Sequence, residues 1–223
     1  MKKLLFAAMM MLFATAAYAQ KDVTKFLGIP VDGTKAEMIQ KLKAKGFTST
    51  AYDPEILEGE FNGTAVHVHV VTNNNKVYRI MVADKTMRDE TDIRIRFNRL
   101  CRQFNNNPKY LGLYDDQLIP EDEDISYEIA VKDKQYEAVF LQEFNVTDTL
   151  AIGMQVAEVL SARYPENIIK TMSQEEIFEA SRQAAFEVMM RKNVWFTISD
   201  LYGEYYITMY YDNDYNKSNG EDL

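Results

Sequence analysis

Two turn signals set into a period-two pattern constrain this chain more than any other feature. Phe61-Asn62-Gly63-Thr64 places Asn-Gly, the strongest short hairpin signal, between alternating stretches. Beyond it, Val66, Val68 and Val70 point one way, and Ala65, His67, His69 and Val71 the other. Asn73-Asn74-Asn75 predicts a second turn, and residues 76–83 a further strand with Tyr78, Ile80 and Val82 on one face. An antiparallel meander of three or four strands follows, and its apolar face needs a cover.

Helices supply that cover. Thr34 and Glu37 form a capping box ahead of Met38, Ile39 and Leu42, and Gly46-Phe47 predicts a Schellman-type end, so residues 34–46 read as a helix. Before it, Phe26-Leu27-Gly28-Ile29-Pro30 is an apolar lead-in expected to dock on the sheet. Ile93, Phe97, Leu100, Cys101 and Phe104 mark one face of a helix over roughly 90–105. Arg94, Arg96, Arg99 and Arg102 read as its solvated side, because no glycine-rich loop or aromatic platform accompanies them.

The second half is read in the same way. Residues 109–124 are expected to be a loop ending in Glu121-Asp122-Glu123-Asp124, the place for any domain boundary. Ile125, Tyr127, Ile129 and Val131 alternate, which predicts a strand paired across Lys132-Asp133-Lys134 with another at 135–144. Residues 150–163 lean towards helix. Ser173 and Glu176 cap a helix over 174–191 whose face is Ile177, Phe178, Ser181, Ala185, Val188 and Met189. Two strands, 194–199 and 204–211, meet near Gly203, and 212–223 reads as a polar, loosely held tail. Helices segregated from antiparallel strands make an α+β fold, with helices on one sheet face. The stretches 20–118 and 119–211 form either two similar modules or one continuous domain.

The first residues carry the three parts of a secretory signal. Lys2 and Lys3 are followed by apolar Leu4 to Ala16 and by Ala17-Tyr18-Ala19, a small-x-small cleavage site. The apolar run is short of the about 20 residues a spanning helix needs, and no lipid-acceptor cysteine follows the cut. Removing 19 residues from 223 leaves 204, and losing two lysines takes the net charge from −9 to −11. That acidity disfavours nucleic acid and anionic lipid. Cys101 has no partner for a disulfide and reads as a small core residue.

Candidate chemistry is sparse. His67 and His69 fall about 6.6–6.8 Å apart along one strand face. With a carboxylate they would hold zinc, but two ligands at that spacing are no zinc signature. Asp212, Asp214 and Asn216 begin like a calcium loop, yet Lys217 stands where glycine is needed and Leu223 where glutamate is. No Gly-x-Ser-x-Gly elbow is present, and no cofactor is implied. Asp148-Thr149-Leu150 matches a short O-glycosylation pattern, and Asn62-Gly63-Thr64 and Asn145-Val146-Thr147 are sequons. The aromatic cluster stands out. Trp195 shares a strand face with Thr197 and Ser199, Tyr206 and Tyr210 share a face of the next strand, and Tyr202 sits in the turn. If the faces coincide and are exposed, they offer large, stiff contact area with polar tips. The same residues would serve equally well to cover the helix over 174–191.

The lead-in Phe26 to Thr34, the phrase Val71-Thr72-Asn73-Asn74-Asn75-Lys76-Val77 and the ending Asn219-Gly220-Glu221-Asp222-Leu223 resemble small exported proteins of unknown function from Bacteroides-type bacteria. The plan of helices beside an antiparallel meander is similar, at the level of fold, to the beta-lactamase-inhibitor-protein type of module. The expectation is an exported, non-catalytic binding protein, periplasmic or secreted. Its partner would be an envelope or secreted protein or a glycan, and its oligomeric state stays open. The alternative is a secreted or periplasmic hydrolase acting on glycans or peptides.

Overall fold

The computed structural model describes residues 22–143, 149–169 and 171–218. The signal-like stretch 1–19, the sequon at Asn145, the start of the Asp148 motif and the ending 219–223 lie outside them.

The fold is α+β. Strands β3 (Thr48–Ser49), β4 (Leu57–Phe61), β5 (Thr64–Asn73), β6 (Lys76–Asp84), β7 (Tyr110–Gly112), β8 (Glu137–Gln142), β9 (Asn193–Leu201) and β10 (Glu204–Asp212) make one antiparallel sheet. Their order is β3-β4-β5-β6-β10-β9-β8-β7. The stretches 20–118 and 119–211 thus give strands to the same sheet, joined where β10 pairs with β6 and again where β8 pairs with β7. A two-stranded ribbon, β1 (Lys25–Phe26) and β2 (Ile29–Pro30), precedes it. By compactness, the described residues of 23–143 and 189–218 form one unit. Among the described residues, 149–169 and 171–188 form the other.

In the sheet unit, α1 (Lys35–Ala44) and α2 (Glu90–Asn105) lie on one face. The α1 ends are written in the sequence. Thr34 Oγ1 accepts from the Glu37 amide, and Glu37 accepts from the Thr34 amide. At the other end Phe47 N donates to Leu42 O and Gly46 N to Lys43 O, with Gly46 at φ +100°, the Schellman arrangement. Met38 and Leu42 bury against Val66, Val68 and Ile80 of the sheet. From α2, Phe97 meets Phe196 (5.1 Å) and Phe104 meets Phe140 (4.8 Å). The lead-in docks as expected: the Phe26 ring lies 5.1 Å from Phe61 and 4.9 Å from Tyr211.

Several sequence expectations give way. Arg96 is not solvated. It is 1% exposed and holds Asp84 through Nε and Nη2, while Arg88 Nη1 also donates to Asp84. Tyr78 does not share the core face, because a register shift opposite Val71 and Thr72 makes it the extra residue of a bulge. Val77 takes the core position and is fully buried.

Ile125 to Lys132 is a helix, α3, rather than a strand. Asp124 caps it by accepting from the Tyr127 amide, and Glu90 of α2 accepts from the Ile125 and Ser126 amides, so two carboxylates sit at its positive end. Ile125 is buried and Ile129 packs on the same core cluster four residues on, while Tyr127 and Val131 are exposed. The tail also departs from expectation. β10 runs through Asp212, Asn213 Nδ2 donates to Val31 O, and Asn216 Nδ2 donates to Val77 O, so residues 212–216 are fastened down.

In the other unit, α4 (Thr149–Arg163), α5 (Glu166–Ile169) and α6 (Gln174–Met190) follow one another. Ser173 Oγ accepts from the Glu176 amide, as the capping box requires. The buried stripe of α6 is Ala180, Ala184 and Val188, and the last two pack with Val159 of α4. Ile177 and Phe178, expected to face inward, are 40% and 66% exposed, because the small alanines form the close contact instead.

Candidate functional site

The sheet has a second face, opposite the core, on which the aromatic residues gather. Alternation along β9 sends Val194, Phe196 and Ile198 to the core and Trp195, Thr197 and Ser199 away from it. On β10 Tyr206, Thr208, Tyr210 and Asp212 take the same outer side. Register then aligns the strands. His69, Met81, Tyr210, Trp195 and Val139 form one row, and His67, Ala83, Thr208, Thr197 and Glu137 the row beside it. Trp195, Tyr206 and Tyr210 are half-buried there, outside the core cluster.

One row carries a ladder. The Trp195 and Tyr210 rings, opposite each other in the register, stack at 4.1 Å and 22°. The Arg79 guanidinium carbon lies 4.7 Å from the Tyr210 ring centre and 5.5 Å from that of Trp195. Arg79 donates from Nε and Nη2 to the two Asp212 oxygens at 2.5 and 2.7 Å, and Trp195 Nε1 donates to Asp212 Oδ2 at 3.2 Å. The bidentate pair fixes the guanidinium plane over the rings. The hydrogen bonds to Asp212 raise the Arg79 pKa, and burial raises that of the Tyr210 hydroxyl, so both keep their protons. The arrangement is a stiff, amphipathic strip.

The strip continues along the hairpin. Ser199 Oγ and Thr208 Oγ1 are 2.9 Å apart, Tyr206 pairs with Ser199, and Leu201 with Glu204. Tyr202 occupies the turn and is 99% exposed. From Trp195 to Leu201 the outer face spans roughly 20 Å at about 3.4 Å per residue.

The other candidates do not converge. His67 and His69 share the outer face, as the spacing requires. Tyr52 lies edge-on to His67 at 6.2 Å, with its hydroxyl 3.4 Å from Nε2. Burial lowers both histidine pKa values. Lys85 pushes His67 the same way and His67 pushes His69, while Glu58 and Asp53 oppose. Among the described residues no group of three His, Cys, Asp or Glu side chains is placed to hold a metal. Asp212 gives both oxygens to Arg79 and Trp195, and Asn216 donates its amide to Asp32 and Val77, so two of the three calcium-like positions, Asp212 and Asn216 but not Asp214, anchor the chain. Burial raises the Asp214 pKa. Cys101 is buried, and its thiol pKa is pushed up to about 12 by desolvation.

Sequence reasoning missed Arg79. Its signal was a cation at an outer-face position in the middle of a strand, two residues before Met81. Among the described residues no helix is long and apolar enough to cross a membrane. Compared with protein-family models, curated proteins and solved structures, the chain matches none.

Proposed function

We propose that this is an exported, non-catalytic binding protein, periplasmic or secreted. It meets an envelope or secreted protein, or a glycan, through the outer face of its sheet. The observation that carries this reading is the Arg79–Tyr210–Trp195 ladder. Aromatic rings and a guanidinium give large contact area with polar edges. Here Asp212 immobilises them in advance, so little side-chain entropy remains to be lost on binding. The export half of the proposal rests on Lys2, Lys3, the apolar stretch to Ala16 and the Ala17-Tyr18-Ala19 site.

The test is capture from envelope and culture extracts of the native cell, read by mass spectrometry. The baits are the wild type, an outer-face variant, Thr197→Arg, and a helix-face variant, Arg102→Glu. The wild type and Arg102→Glu are expected to retain one stoichiometric partner and Thr197→Arg to lose it, with all three melting alike. Equal retention by Thr197→Arg would move the contact off this face. A folded wild-type bait that retains nothing would remove the binding reading itself.

A further inference from the structure

The β9–β10 hairpin outruns its neighbours. β8 accompanies β9 through Thr197, with one further bond from Ile198 N to Tyr136 O. β6 accompanies β10 from Thr208 onward, and nearer the tip a single bridge joins Tyr205 to Arg88. Tyr205 itself is buried and its hydroxyl donates to Ser126 Oγ, so it is residues 200–204 that extend as a two-stranded tip past the body of the sheet.

The residue at its end is badly suited to its place. Tyr202 and Gly203 have φ of +55° and +83°, the two left-handed residues of a type I′ turn. Asn62-Gly63 and Asn74-Asn75 close the β4–β5 and β5–β6 hairpins in the same way. Asparagine tolerates this conformation because its short side chain bonds the local backbone; tyrosine lacks that compensation. Leu27 stands at the matching position of the β1–β2 turn, but it is 38% exposed, so most of its side chain is covered. Tyr202, at 99% exposed, has no such cover. It neither suits the turn nor packs on the chain. A strained residue without internal contacts to offset the strain points outward, to a contact made with something else.

Its surroundings define the contact. Leu201, beside it, is 48% exposed, and Asp200 and Glu204 flank the pair as exposed carboxylates. Leu201 and Glu204 lie on the outer face, in line with Ser199 and Tyr206 and then with Trp195 and Tyr210. An acidic collar on a chain of net charge −9 repels anionic lipid headgroups and nucleic-acid backbones and favours a cationic rim. An exposed tyrosine fills an apolar pocket and keeps its hydroxyl for the pocket floor.

We propose that residues 200–204 form a docking prong that inserts Tyr202 into an apolar pocket, rimmed by lysine or arginine, on a protein partner. The inference rests on the sheet-face reading above and adds to it the leading contact and the partner's chemistry. The partner would take the hairpin end-on at Tyr202 and lengthwise along Tyr206.

The test replaces Tyr202, Tyr206 or, as a control on α3, Tyr127 by the photo-crosslinker p-benzoylphenylalanine in the full chain, irradiates the native cells and maps the adducts by mass spectrometry. The expected result is an adduct from position 202 to an apolar protein segment flanked by lysine or arginine, with none from Tyr127. Asp200→Lys with Glu204→Lys should cut the adduct yield about tenfold. Tyr202→Asn should melt no lower than the wild type and yet weaken Kd for the cross-linked partner by about tenfold or more. That pairing separates lost contact from lost fold. Adducts from 206 but not from 202 would overturn the prong and leave the sheet-face reading standing. Adducts from neither position would overturn both. An adduct from 202 to lipid, or to an acidic segment, would overturn the stated partner chemistry.

Discussion

Two aspartates at strand ends meet arginines on opposite faces of the same sheet. Asp84, at the end of β6, lies on the core side with Arg96 and Arg88, and its side chain and that of Arg96 are each 1% exposed. Asp212, at the end of β10, is as buried as Asp84, with its side chain 2% exposed, but it lies on the outer side with Arg79, whose side chain is 22% exposed. The ion pairs are chemically alike, but their surroundings give them different work. The inner one fastens α2 to the sheet and leaves Arg96 Nη1 buried without a hydrogen-bond partner, a costly arrangement that tolerates no loss of the carboxylate. The outer one spends its geometry on holding Tyr210 and Trp195 upright at a half-open surface. One face is closed over the core and the other is half-open.

Removing each carboxylate or its partner is the sharpest way to break that contrast. Asp84→Ala strands Arg96 in the core, takes a partner from the half-buried Arg88 and should cost about 3–5 kcal/mol in a denaturant melt. Arg79→Ala takes the counter-ion from Asp212 but leaves it the Trp195 Nε1 hydrogen bond, and should cost less, about 1.5–3 kcal/mol. It should also shift Trp195 fluorescence as the ladder loosens. Equal losses for the two variants would erase the difference between the faces.

The hairpin tip supplies a smaller effect of opposite sign. Tyr202→Asn relieves a left-handed residue that the turn disfavours and should raise stability by about 1 kcal/mol. A clear loss would mean that Tyr202 is held by the chain itself. The smallest effect is the pH dependence of the outer face. His67 and His69 have folded pKa values below the ordinary histidine value of 6.5, chiefly through burial. The unfolded chain therefore binds protons first as pH falls below about 6.5, and stability drops until the folded values are passed. His67→Asn with His69→Asn should flatten that part of the stability–pH curve. A variant curve as steep as the wild type would place its origin elsewhere.

How much of this was legible depends on whether the signal was local. The α1 box of Thr34 and Glu37, its Gly46 end and the Asn62-Gly63 turn are each settled within a few residues, and all appear where the sequence puts them. The outer-face alignment of Trp195 with Tyr210 follows from one hairpin register. Most of what failed needed partners distant in the chain. Ile125, Tyr127, Ile129 and Val131 alternate like a strand, and that pattern hid the local Asp124 cap, to which Glu90, 35 residues earlier, adds a second carboxylate at the helix start. Arg96 looked solvated because nothing nearby announces Asp84 as its counter-ion in the core. Arg79 became part of the candidate site only because β10 crosses to pair with β6, a connection no local pattern states.

The central claim, that a partner meets the outer face and its hairpin tip, is tested most directly by hydroxyl-radical footprinting of the wild-type chain, free and in complex with its captured partner. Trp195, Tyr202 and Tyr206 report the proposed surface, while Tyr114 and Tyr127, exposed after β7 and on α3, report the rest. The account predicts that oxidation of the first three slows on binding and that of the last two does not change. Protection of Tyr114 and Tyr127 with unchanged oxidation of Trp195, Tyr202 and Tyr206 would contradict it.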